Sequence, residues 1–153
     1  MTTPDALQVA SQILWISDTH GRRFTPMQLL KIAYISHGWS LGILSEPMFD
    51  DPVEAWKYGP VVPNVYHKYK RFGYSQISVK LKDHREIFDQ TLYSLLNRVV
   101  KIYGKFDGMY LSGLTHQPGT PWDITIKKHG EGSYIPNDLI KDYYSELSSR
   151  NES

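Results

Sequence analysis

Cysteine is absent from this chain of 153 residues, which excludes disulfides, thiolate metal sites and cysteine nucleophiles and fits a reducing compartment. No uncharged apolar run approaches the ~20 residues needed to cross a bilayer. The first residues, MTTPDALQVASQ, lack the basic region and long apolar core of a signal peptide. A cytoplasmic protein with no membrane partner is therefore expected. Charge of one sign is not in excess either: 17 Lys and Arg stand against 16 Asp and Glu, so net charge gives no argument for a nucleic-acid partner. Phosphate-cradling GxGxxG and GxxxxGK[ST] segments are missing, as are a GxSxG elbow and the HxH and HExxH metal spacings. The GEGS stretch at 130–133 reads as a loop. These gaps predict no catalytic residues, no cofactor and no metal.

One segment imitates chemistry. In ILWISDTHGR, residues 13–22, a hydrophobic run leads into Asp18-Thr19-His20-Gly21, like the first metal motif of calcineurin-like phosphoesterases. Two-metal hydrolysis needs further ligands to bridge the ions and hold both oxygens, and the GD, GNH and GHxH segments that carry them are absent. Asp18 and His20 are instead expected to close the first helix, with Gly21 at its stop. The remaining histidines are scattered. His37 is expected to be a hydrogen-bonded core residue. His67 is placed on an exposed face, and His116 near a helix end, capping carbonyls or bonding across to a neighbouring segment.

What is present is a series of punctuated helices. Thr25-Pro26-Met27-Gln28 combines a capping Thr, a proline at the first helical position and a Gln that closes a capping box. The run from Pro26 to Leu44 is apolar on several faces and is expected to be the central buried helix. An earlier helix spans about Pro4 to Ser17. Asp83 and Glu86 read as a capping box for an amphipathic run through Phe88, Leu92, Leu96, Val99 and Tyr103. Thr120-Pro121-Trp122-Asp123 opens a short helix, and Pro136 to Leu147 gives the last. Phe49 to Val53 reads as the turn of a small β-hairpin, and Ile77, Val79 and Leu81 as an edge strand. The expected fold is mainly α: one compact helical domain, residues 1–147, around a central buried helix, with a small β-hairpin insertion. Residues 148–153 are expected to form a frayed tail.

The densest segment is EAWKYGPVVPNVYHKYKRFG, residues 54–73. Pro60 and Pro63 each fix φ and remove a backbone donor, which excludes a central strand or helix interior. Trp56 should end an extended piece, Gly59-Pro60 should turn it, and Pro63 should open a helix that stops at Gly73. Val62, Val65, Tyr66, Tyr69 and Phe72 recur at helical spacing on one face; Asn64, His67, Lys68, Lys70 and Arg71 occupy the other. The four tryptophans, Trp15, Trp39, Trp56 and Trp122, are assigned mostly to the core. Aromatics reach 13%, with 11 tyrosines, more than a core demands and useful at an interface.

Two stretches, residues 29–73 (LLKIAYISHGWSLGILSEPMFDDPVEAWKYGPVVPNVYHKYKRFG) and 110–123 (YLSGLTHQPGTPWD), resemble the Panacea antitoxin domain. This domain is also called SocA-like and is found in phage GepA-like proteins. The shared pattern is AWKYGPVVP followed by a Tyr and a Gly, and then TH and PW. The resemblance implies a mostly helical, non-enzymatic antitoxin, phage- or prophage-associated, that neutralises a cognate toxin encoded nearby by direct contact. The motif residues carried over are Trp39, Trp56, Gly59, Pro60, Pro63, Tyr66, His116, Pro121 and Trp122, all in structural roles. The partner-binding surface expected from the turn and the basic helix face is Lys57, Tyr58, Asn64, His67, Lys68 and Arg71.

Two other readings stay open at this point. From Lys57 to Arg85 seven basic residues face one acid, Asp83, with tyrosines interleaved, which suits a nucleic-acid-binding regulator as well as an acidic protein partner. The third reading, a metal-dependent phosphoesterase, rests on Asp18 and His20 alone.

Overall fold

The computed structural model describes residues 3–152. Helix α1, Ala6–Thr19, is opened by Asp5, whose carboxylate accepts from the Gln8 amide while the Gln8 side chain accepts from the Asp5 amide. This reciprocal capping box satisfies two otherwise orphaned donors and sets the start two residues later than the expected Pro4. The helix buries Val9, Ala10, Ile13, Leu14 and Ile16. Helix α2, Pro26–Trp39, carries the expected Thr25–Gln28 box and proline start. Every residue from Leu29 to Gly38 is buried, so α2 is the central helix around which α1 and the later helices α4 (Gln90–Tyr103), α5 (Gly108–Thr115) and α7 (Asn137–Glu152) pack. A π turn over Ser40–Leu44 continues it and ends in a left-handed Ser45, φ 58°.

Three further helices share one device, a short polar side chain accepting from the first-turn amides. Asp89 opens α4, Gln90–Tyr103; Asp107 opens α5, Gly108–Thr115; Thr120 opens α6, Pro121–His129. Ahead of these lies α3, Pro63–Tyr69, extended by a 3-10 turn over Lys70–Phe72. Last comes α7, Asn137–Glu152, which runs past the expected end at Leu147 into the stretch expected to fray. Ser153 lies outside the described residues.

The β insertion is a two-stranded antiparallel hairpin, β1 Glu54–Trp56 and β2 Gly59–Val61, with Trp56 paired to Gly59 across Lys57 and Tyr58. The fold class is thus as expected, but the hairpin sits one step downstream. Phe49 to Val53 is not its turn: Met48, Phe49 and Val53 are buried, and Phe49 stacks on His37 with ring centroids 4.2 Å apart. Gly59 and Pro60 do not make the turn either; they begin β2.

Proline is tolerated in β2 because of register. Ala55 opposes Pro60, and the Ala55 amide and carbonyl both bond outward, to Ser133 O at 2.8 Å and from Gly132 N at 2.7 Å. Ala55 and Pro60 therefore form a non-hydrogen-bonded pair, and the donor that proline lacks would have pointed away from β1.

Two other expectations are corrected. Ile77–Leu81 is not a strand: it has no partner strand, and the Ile77 amide bonds Phe24 O at 2.8 Å. Asp83 and Glu86 do not cap α4. A 3-10 turn over Arg85–Ile87 intervenes, and Asp83 accepts instead from the Gln12 amide of α1 at 2.9 Å and from Arg85 N.

Candidate functional site

The hairpin and the start of α3 form a platform tied to three helices through its backbone carbonyls. Lys31 of α2 donates from Nζ to Pro60 O at 3.0 Å, Ser112 of α5 from Oγ to Tyr58 O at 2.8 Å, and Trp122 of α6 from Nε1 to Trp56 O at 2.6 Å. Three backbone carbonyls of the hairpin thus accept from side chains of the helical frame. Gly59, at φ +124°, allows the close approach: a Cβ there would stand 2.8 Å from Lys31 Nζ. Pro63 starts α3 directly after the buried Val62.

Aromatic stacking stiffens the outer side. The Trp56 ring meets Tyr66 edge-on at 5.0 Å between centroids and lies 6.4 Å from His67. Trp56 Nε1 donates to Glu54 Oε1 at 3.0 Å. All four tryptophans are half-buried rather than core residues. For Trp39, Trp56 and Trp122 the indole N–H finds its acceptor near the surface, at Tyr103 Oη, Glu54 Oε1 and Trp56 O, which holds the ring at the rim. His116, at the end of α5, donates from Nδ1 to Ser112 O at 2.5 Å and meets the Trp122 ring at 5.4 Å, so it closes α5 beside the platform.

Lys57, Tyr58, Asn64, His67, Lys68 and Arg71 are all exposed on this platform. Asn64 is partly diverted: its Nδ2 donates to Asp51 Oδ2 at 3.0 Å, while the other Asp51 oxygen accepts from Ala6 N at the start of α1. That carboxylate staples α3 to α1. Several cations rest on neighbouring rings, Lys57 over Tyr58 at 5.4 Å, Lys68 over Tyr69 at 5.7 Å and Arg71 over Phe72 at 4.7 Å. The basic run does not stay on α3. Arg85 lies against Asp83 and over the Tyr93 ring of α4.

Sequence reasoning missed Lys31. Its side chain is 1% exposed, inside an otherwise apolar stretch of α2. Burial costs the charged form its hydration and lowers its pKa from 10.5 to about 7. The signal was present, a lone cation between Leu30 and Ile32 on a helix apolar on every side. Beside Lys31 opens a groove of about 290 Å³ walled by Met27, Leu30, Trp56, Tyr58 and Val61, with Lys57 and Glu131 also on it.

The other titratable candidates are accounted for locally. Asp18 and His20 are exposed at the end of α1, where the His20 amide bonds Ser17 O and the Gly21 amide bonds Asp18 O. Among the described residues no three His, Asp or Glu side chains are grouped to hold a metal ion. His37 accepts from Met48 N at Nδ1, 3.2 Å, which leaves its Nε2 proton to be donated to Asn137 Oδ1 at 3.0 Å. Burial depresses its pKa to about 4, against smaller raising effects of Asn137, Asp50 and Asp51. No helix among the described residues is long and apolar enough to cross a membrane.

Fold and site define a small helical domain that presents a rigid, basic and aromatic hairpin surface. The family described as Antitoxin SocA-like, Panacea domain, matches residues 29–123, which span the central helix, the platform and the start of α6, and the chain belongs to that family. It is 27% identical over 155 residues to Antitoxin SocA of Caulobacter vibrioides (strain NA1000 / CB15N), covering 92% of this chain and 82% of that protein. No solved structure matches it. Membership points to a non-enzymatic role and, in general terms, to a toxin as partner.

Proposed function

We propose that this chain neutralises a cognate toxin by direct protein–protein contact in the cytoplasm, with the hairpin and the exposed face of α3 as the binding surface. The observation that carries the reading is the tethering of the hairpin by Lys31, Ser112 and Trp122 beneath an exposed row of Lys57, Tyr58, His67, Lys68 and Arg71. A surface fixed before encounter loses little conformational entropy on binding. Tyrosine and arginine are also the residue types that concentrate binding energy at interfaces. Family membership supports a toxin as the class of partner.

The test is co-expression with the products of neighbouring genes. The expected result is rescue of growth from one of them and co-purification of a stoichiometric complex. Rescue without a complex would overturn direct contact, and no rescue by any neighbour would overturn the antitoxin reading.

A further inference from the structure

Lys31 is a buried amine with no counter-ion among the described residues. Its Nζ has three donors, and among the described residues its only hydrogen bond goes to Pro60 O. The ion pairs of the described residues are Arg85–Asp83, Lys127–Asp123 and Arg150–Glu146, all elsewhere. An amine serving only to tie β2 to α2 needs one donor and no opening beside it. Here a groove of about 290 Å³, lined in part by Lys31, opens beside it between apolar walls, with a second cation, Lys57, on the same groove.

We propose that this groove receives an acidic side chain of the partner, a Glu or Asp between apolar residues, whose carboxylate accepts from the Lys31 amine while its neighbours pack on Leu30, Trp56 and Val61. The identity of the occupant rests on the toxin-binding reading above; the preference for a carboxylate rests on charge complementarity at Lys31 and Lys57. A carboxylate supplies what the unoccupied site lacks, an acceptor for the two remaining donors and a charge that favours the ammonium form. Binding therefore takes up a proton. Among the described residues, the titratable groups facing Lys31 across the groove are Lys57 and Tyr58 of the hairpin turn, Tyr66 of α3 and Glu131 of the loop before α7; from α5, Thr115 sets its hydroxyl beside Gly59. Among the described residues on the groove Glu131 is the one carboxylate, and it competes with the incoming acid.

The experiment uses the full chain labelled with 13C-lysine and two blocked tripeptides, acetyl-Leu-Glu-Leu-amide and its Gln counterpart. The Glu peptide is expected to bind at least tenfold tighter than the Gln peptide. It should raise the Lys31 titration midpoint by a pH unit or more, and its affinity should fall up to tenfold per pH unit above about 7, the free amine's pKa. Lys31→Met should abolish the preference. Glu131→Gln, at an exposed position, should tighten Glu-peptide binding and provides a second variant if Lys31→Met fails to fold. No binding, equal binding of the two peptides, an unmoved Lys31 midpoint, or weaker binding after Glu131→Gln would each overturn the proposal. A toxin complex indifferent to a folded Lys31→Met would sink the groove while sparing the antitoxin reading. A chain that selects the Glu peptide yet captures no neighbouring gene product would do the reverse.

Discussion

Burial takes His37 out of the pH range in which an exposed imidazole titrates. With a folded pKa of about 4 against an ordinary 6.5, the native state binds fewer protons than the unfolded chain between those values. Stability contributed by neutral His37 is therefore complete above pH 6.5 and lost as pH falls toward 4, amounting to roughly 3 kcal/mol. Urea unfolding at pH 7 and pH 4.5 should show a loss of this order, and the His37 ring resonances should stay unshifted down to pH 5. Lys31 titrates on the alkaline side. Its folded pKa, about 7, lies below the unfolded 10.5, so again the unfolded state holds more protons and stability rises with pH above 7. A gain of about 2 kcal/mol in all between pH 7 and 9 is expected in the wild type and not in Lys31→Met. Equal slopes in the two proteins would show that Lys31 is not held in a desolvating site.

Between elements, α7 packs tightly against the end of α2 and the π turn that continues it. A Cβ on Gly38 would lie 2.2 Å from the buried Tyr144 ring, and one on Gly42 would lie 2.7 Å from the Tyr144 backbone. Tyr144 also meets Trp39 edge-on at 5.1 Å and Tyr34 at 6.3 Å between centroids, so moving the ring disturbs two packed neighbours. Gly38→Ala and Gly42→Ala should each destabilise the fold by about 1–3 kcal/mol in thermal or urea unfolding. Gly42→Ala is expected to be the worse, because there the neighbour that must shift is backbone. Such approaches are invisible in the sequence, where both glycines lie in an uninterrupted helical pattern.

Capping chemistry, by contrast, was legible. Thr25 with Gln28, and Thr120 ahead of Pro121, open α2 and α6 where the residue pattern places them. The hairpin was misplaced because Asp50-Asp51-Pro52 has turn chemistry, and Gly59-Pro60, which also has it, was read as a separate turn. What decides its role is the pairing with Trp56 and Ala55, a non-local fact. Asp83 misled for a similar reason: a capping pattern says nothing of a distant Gln12 that takes its carboxylate.

For the molecule as a whole, the candidate surface was readable as a face of α3 because exposure follows helical periodicity. The Lys31 groove beneath it was not, because it is assembled from α2, the hairpin, α3 and the loop before α7. The charge on that surface should act mainly through long-range attraction. Lys68→Glu with Arg71→Glu should slow association with the toxin by about tenfold or more at low salt, with the difference shrinking as salt rises and folding unchanged. Both residues are exposed and make no ion pair among the described residues, their contacts being with the Tyr69 and Phe72 rings, so the reversal costs the fold little.

The most direct measurement is the affinity of the purified chain for its co-purified toxin, comparing the Lys68/Arg71 reversal and Tyr58→Ala with a reversal of Lys101 and Lys105, which are exposed at the end of α4 and just beyond it. The platform account predicts affinity at least tenfold weaker for each platform variant and unchanged for the α4 pair, with all of them equally folded. Affinity unchanged by the platform variants but lost with the α4 pair would contradict it and move the interface off the hairpin.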